Sequence, residues 1–176
     1  MENKPLKEYE IAAIQLKTLF DSTGIAASRT NPHFTIAPWN NTDKKPWPRF
    51  EYEFTFTKGK ASIRVPYSCG ADQEEEDPYN WHYNKTGGNL KRRSLMKPTP
   101  KASKLPKACE VFGRICSDGL EAHEASFEEW ASNFGYDTDS RSAEKIYHTC
   151  VKGYFDASTL VNIDTMRKFA ELSNQL

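Results

Sequence analysis

Phe50-Glu51-Tyr52-Glu53-Phe54-Thr55-Phe56-Thr57-Lys58-Gly59-Lys60-Ala61-Ser62-Ile63-Arg64-Val65-Pro66-Tyr67 alternates apolar and polar side chains on both sides of one glycine. Successive side chains of an extended strand point to opposite faces. Phe50, Tyr52, Phe54 and Phe56 therefore share one face, and Glu51, Glu53, Thr55 and Thr57 share the other. Lys58-Gly59 supplies a tight turn, and Ala61, Ile63, Val65 and Tyr67 form the inner face of a second strand. Pro66 has no amide hydrogen, so the second strand is an edge or ends there. A lone hairpin is marginal in water, and its aromatic face calls for cover from helices or further strands.

Helical patterns lie on both sides of this hairpin. Residues 5–21 read as a helix opened by Pro5, with Ile11, Ala12, Ile14, Leu16, Leu19 and Phe20 as a broad apolar face and Ser22-Thr23-Gly24 as its stop. Residues 25–48 read as irregular, broken by Pro32, Pro38, Pro46 and Pro48, with Trp39 and Trp47 as either lids over the hairpin or exposed contacts. After residue 104, Pro106 opens a helix with Ala108, Val111, Phe112, Ile115 and Cys116 on its face, closed by Asp118-Gly119. Ser126 and Glu129 form a capping box for a short helix that stops at Gly135. Asp137, Thr138 or Asp139 caps the next helix, whose stripe is Ala143, Ile146, Tyr147, Cys150, Val151 and Tyr154. A last helix, about 163–174, uses Ile163, Met166, Phe169, Ala170 and Leu172.

The expected class is α+β: an N-terminal helix, an antiparallel hairpin or small sheet with an aromatic face, and a C-terminal bundle of three to four short helices. A chain of 176 residues fits a single domain. Its parts are an N-terminal helix with a Pro/Trp-rich segment (1–48), the hairpin (49–70), a charged insert loop (71–104) and a helical unit (105–176). Aromatics make up 12% of a chain that is only 38% hydrophobic, so rings carry much of the burial. With 24 basic and 24 acidic residues the net charge is zero, which excludes a wholesale acidic nucleic-acid mimic and a uniformly basic binder. Any electrostatic function belongs to a local patch.

The insert is such a patch. Asp72-Gln73-Glu74-Glu75-Glu76-Asp77 is acidic, Tyr79, Trp81 and Tyr83 follow at a spacing of two, and Lys91-Arg92-Arg93 is basic. Residues 85–107 hold eight basic side chains and no acid. Basic groups beside aromatics suit single-stranded nucleic acid. A protein-binding arm and a solvated loop neutralised by the acidic run are equally consistent with the composition.

Other chemistry finds little support. The histidines, His33, His82, His123 and His148, are scattered, and Cys69, Cys109, Cys116 and Cys150 contain no CxxC pair. His148 and Cys150 fall on different helix faces, so buried free thiols are expected and no metal centre. There is no GxSxG, HExxH, phosphate loop or GxGxxG. No catalytic residue and no cofactor are expected. A polar start, unpaired thiols and no apolar run near the roughly 20 residues that span a bilayer point to the cytoplasm and no membrane.

Gly135-Tyr136-Asp137-Thr138-Asp139-Ser140 is the most recognisable stretch. Two aspartates there could serve a metal or acid–base site, but capping explains both their type and their place. Tyr136 reads as a packing anchor, and Arg141 as a partner for an acid of the turn. Extended to Phe134 on one side and Arg141 on the other, with Ser126-Phe127-Glu128-Glu129-Trp130 before it and Ala143-Glu144-Lys145-Ile146-Tyr147 and Cys150 after it, this turn resembles the C-terminal signature of a family of small phage and prophage proteins. The upstream plan is similar too, over residues 50–155, with the insert 71–104 departing from it. The resemblance implies a phage or mobile-element origin and no particular chemistry. Small accessory phage proteins include inhibitors of host defence, anti-CRISPR proteins among them.

The function expected from this combination is a non-enzymatic inhibitor in the host bacterial cytoplasm. It would bind a host protein complex such as a CRISPR effector through Glu74, Glu75, Glu76, Asp77, Tyr79, Trp81, Tyr83, Lys91, Arg92 and Arg93. The alternative is a single-stranded nucleic-acid-binding accessory protein of phage replication or recombination, reading phosphates through Lys91–Arg93.

Overall fold

β3 (Trp47–Lys58) is the strand on which the sheet is assembled. β1 (Ala26–Arg29), β2 (His33–Ala37) and β4 (Ala61–Gly70) all pair with it. β2 runs antiparallel to β3, with His33 opposite Glu51 and Ala37 opposite Trp47. The computed structural model describes residues 6–37, 47–70 and 105–176, with side chains at 6–32, 51–67 and 105–176.

The hairpin follows its alternation. Tyr52, Phe54, Phe56 and Ile63 are buried. Gly59, at φ +60°, makes the turn, a conformation that costs a residue without Cβ nothing. β4 continues through Pro66 to Gly70, and among the described strands it pairs only with β3, so the proline lies on an edge strand.

Residues 25–48, read from sequence as irregular, contain β1 and β2. All four residues of β1 are exposed, so it has no buried face to generate an alternating pattern. What makes it a strand is the backbone of β3. Beyond its end, the Thr30 N–H donates to the Glu53 carbonyl at 3.0 Å and the Glu53 N–H donates to Thr30 Oγ1 at 2.9 Å.

The helices are α1 (Glu8–Ser22), α2 (Ala108–Glu124), α3 (Phe127–Asn133), α4 (Arg141–Ser158) and α5 (Ile163–Ser173). The class is therefore α+β, with one helix before the sheet and four after it among the described residues. α1 buries Ala12, Leu16 and Phe20, whereas Ile11 and Ile14 are exposed, Ile14 at 55%. The expected broad face is thus a narrow stripe, because residues 11 and 14 lie on the opposite side of a 3.6-residue turn from 12, 16 and 20. On α4, Ile146 is likewise exposed and Ala143 is the fully buried member of the expected stripe, while Ala157, beyond that stripe, is buried too. α5 buries Met166 and Phe169.

The chain divides into two compact units. One comprises Met1–Ser28, Thr55–Arg64 and Pro106–Leu176, and the other comprises Arg29–Phe54 and Val65–Leu105. The first has a core of phenylalanines. Phe112 lies 5.8 Å from Phe20, 5.3 Å from Phe56 and 5.1 Å from Phe169, ring centre to ring centre, mostly edge to face. Leu16, Cys116 and Met166 fill the same unit and are fully buried. In the second unit Tyr52 and Phe54 pack with Tyr67 at 5.4 and 6.4 Å, and the Arg29 guanidinium stands 5.6 Å from the centre of the Tyr52 ring.

α2 does not stop at Asp118-Gly119, as the sequence reading had it, but continues to Glu124. Gly119 is a packing glycine. A Cβ there would meet the backbone N of Tyr154 on α4 at 2.8 Å and its Cα at 3.0 Å. The close approach lets Leu120 and Ala122 bury in the following turn, which offsets the roughly 1 kcal/mol helix cost of glycine. At Gly153 on α4 the corresponding Cβ would meet Ile115 Cγ2 at an ordinary 3.4 Å.

The two glycines therefore respond in opposite directions. Gly119→Ala is expected to lower unfolding free energy by about 1–3 kcal/mol, since the backbone it strikes cannot rotate away. Gly153→Ala is expected to raise it by about 0.5 kcal/mol through helix propensity. Urea denaturation of the pair checks both signs.

Candidate functional site: the turn between α3 and α4

α3 begins with a reciprocal capping box. The Glu129 N–H donates to Ser126 Oγ at 3.3 Å, and the Ser126 N–H donates to Glu129 Oε2 at 3.0 Å. It ends in a Schellman motif. The Tyr136 N–H donates to the Ala131 carbonyl at 2.8 Å, and the Gly135 N–H donates to the Ser132 carbonyl at 3.2 Å. Gly135 holds φ at +70°, the left-handed conformation that the motif requires. The expected stop at Gly135 thus has its full hydrogen-bond set.

The start of α4 differs from expectation by one position. Ser140 is the N-cap, accepting from the Ala143 N–H at 3.3 Å. Asp137 instead folds the turn before it, its Oδ1 accepting from the Asp139 N–H at 3.0 Å. Asp139 caps nothing, because the helix starts one residue later than it would need to. Among the described residues no ion pair includes Arg141, so its expected pairing with an acid of the turn does not form.

Aromatic rings lock the turn to the helices. Trp130 is 4% exposed. It is flanked by Phe134 at 5.1 Å, Tyr136 in a near-parallel stack at 5.3 Å and Tyr147 at 5.6 Å. Tyr147 also donates from its hydroxyl to the Ala125 carbonyl at 2.9 Å, tying α4 to the start of α3. Ala122 and Ala131 complete the buried cluster, with Phe127, Cys150 and Val151 packed against it. Tyr136 is the anchor the sequence implied, yet it stays 43% exposed, and Phe134 is 51% exposed. Together the two rings make an aromatic ledge over a buried indole. Sequence reasoning places Phe134 in the signature but gives it no role. The available signal was its position at the helix C-cap, where the turn needs no apolar side chain.

Both carboxylates of this turn are exposed, and Asp137 is the one that shapes it. A second acidic group lies between α2 and α4. Burial raises the Asp118 carboxyl above its usual range, while Arg114 pulls it down. Burial, then Asp118, raises Glu121. Burial, then the two acids, pushes the Cys150 thiol up to about 11. Burial also raises the thiols of Cys109 and Cys116. These three cysteines are free. Among the described residues no three His, Cys, Asp or Glu side chains are grouped to hold a metal ion. An open depression beside α3 is lined by Ala125, Glu128, Glu129, Ser132 and Asn133, and its Glu129 is the carboxylate of the α3 capping box.

Glu74, Glu75, Glu76, Asp77, Tyr79, Trp81, Tyr83, Lys91, Arg92 and Arg93, the residues assigned from sequence to partner binding, lie outside the described residues, as do Trp39, His82 and the side chains of His33, Trp47 and Cys69.

Two outcomes follow from the turn and the thiols. Ser140→Ala is expected to cost about 1 kcal/mol in thermal or urea unfolding, and Asp139→Ala less than about 0.5 kcal/mol. Raised thiol pKa values leave little thiolate near neutrality, so peptide mapping of the native protein after brief iodoacetamide treatment at about pH 8 should find Cys109, Cys116 and Cys150 largely unmodified. Modification of Cys150 should grow as pH rises toward its pKa, and all three should react fully once the chain is unfolded. No helix among the described residues is long and apolar enough to cross a membrane. No protein-family model matches the chain, and neither a curated protein nor a solved structure is significantly similar to it.

Proposed function

We propose that this chain is a non-enzymatic binding protein of phage origin that inhibits a host defence complex, in the manner of an anti-CRISPR protein, by occupying one of its surfaces. The observation that carries the reading is the ledge formed by Phe134 and Tyr136, half exposed around a buried Trp130. Exposed rings on a pre-ordered backbone are efficient anchors for a protein interface, because they bury large area and lose little conformational freedom on binding. The choice of a defence complex rests on the resemblance of residues 50–155 to small phage proteins. The charges of Glu74–Asp77 and Lys91–Arg93, with Tyr79, Trp81 and Tyr83 between them, add a second contact of mixed sign to the same reading.

A second reading, an accessory single-stranded nucleic-acid-binding protein, is favoured by the eight basic residues and no acid in 85–107. One experiment separates the two. The tagged chain is used to capture partners from a host lysate, with and without nuclease treatment, and phage carrying it are plated on cells with defined CRISPR effectors. The inhibitor reading expects an effector complex retained in both arms, protection of the phage, and weaker capture by Phe134→Ala. Retention only without nuclease supports the nucleic-acid reading. No retained effector and no protection across effector types would sink the inhibitor reading.

A further inference from the structure

We infer that the Phe134–Tyr136 ledge receives a Lys/Arg-rich protein segment carrying an apolar anchor, and not the bases of a nucleic acid. The inference rests on the binding role proposed above and adds the chemistry of the partner.

The helix stop accounts for only part of the ledge. A Schellman motif uses a left-handed residue, here Gly135, and an apolar residue after it, here Tyr136 on Trp130. It makes no demand on the C-cap side chain, yet Phe134 fills that position with half of its surface in solvent. Each of the two exposed rings packs against the same buried indole, at 5.1 and 5.3 Å between ring centres. The backbone beneath them is already ordered by both Schellman hydrogen bonds, the Asp137 turn and the Ser140 cap. A partner would pay little to order this surface.

Charge selects among the possible occupants. From Ser126 to Ser140 the chain carries Glu128, Glu129, Asp137 and Asp139 and no Lys or Arg. Glu129 and Asp137 each accept a hydrogen bond from a backbone amide, which leaves their negative charge in place. Among the described residues none of the four forms an ion pair. Arg141 and Lys145 follow on α4, so the local balance remains negative. Stacking of bases on exposed rings works where a positive groove holds the phosphates, and the carboxylates that precede and follow the rings in the chain oppose that arrangement. They favour the opposite partner: ammonium or guanidinium groups paired with the carboxylates, and an apolar or guanidinium group laid on the rings.

Defined probes test this independently of any host complex. A labelled amphipathic Lys/Leu peptide of about 14 residues, its Glu/Leu counterpart and an oligo-dT of about 20 nucleotides are titrated with the full chain by fluorescence anisotropy. The expected result is binding of the Lys/Leu peptide that weakens roughly tenfold in Phe134→Ala and is unchanged in Ile14→Ala, an exposed apolar residue of α1. The combined Glu128→Gln, Asp137→Asn and Asp139→Asn variant should weaken it too and flatten its salt dependence. The Glu/Leu peptide should not bind, and the oligo-dT affinity should be the same in Phe134→Ala as in the parent. Matching thermal melts confirm that the variants are folded. Failure of the Lys/Leu peptide to bind, indifference to Phe134→Ala, or loss of oligo-dT affinity in that variant would overturn the inference. A lysate capture that finds no defence complex beside a positive peptide result would remove the inhibitor reading while leaving the surface chemistry intact.

Discussion

Phe112 touches Phe20, Phe56 and Phe169, and through those contacts the helix after the hairpin meets the first helix, the longest strand and the last helix. Each ring alone would be an ordinary apolar residue. Together they give a chain of modest hydrophobic content a core. The edge-to-face geometry matters because it sets one ring against the positive rim of another, an arrangement that adds to simple burial. β3 delivers Phe56 into this cluster because its alternation places every second residue on one face, so the register of the hairpin and the packing of the helices constrain one another.

The same dependence explains what could be read in the sequence. Period-two alternation from Phe50 to Tyr67 marked the hairpin, since an aromatic strand with one wet face has few other solutions. The capping box at Ser126 and the stop at Gly135 were also legible, because their chemistry is local. β1 and β2 were not. Ala26–Arg29 has no buried face, and its strand conformation comes from a partner 23 residues or more further along the chain, as the Thr30–Glu53 bond illustrates. The continuation of α2 through Gly119 was hidden for a related reason. Locally a glycine after an aspartate reads as a stop, and only the backbone of Tyr154 reveals why the residue has no side chain.

The candidate site was half legible. Gly135 to Ser140 stood out, and Tyr136 was read as an anchor, but the cap fell to Ser140 and not to either aspartate. An Asx turn and an N-cap use the same side-chain chemistry, so sequence could not apportion them between Asp137, Asp139 and Ser140. Phe134 stood in the signature without a role because exposure is a property of the assembled helices. Ile11, Ile14 and Ile146 make the converse point: apolar residues at helical spacing turned outward because neighbours of similar character already filled the inward face.

The phenylalanine cluster also has a consequence for how fast this chain can fold. Phe20, Phe56, Phe112 and Phe169 come from the first helix, the longest strand and two later helices, so every contact among these rings joins residues far apart in sequence. Such contacts reward the chain only after the intervening stretches have closed, so this core forms more slowly than its individual helices.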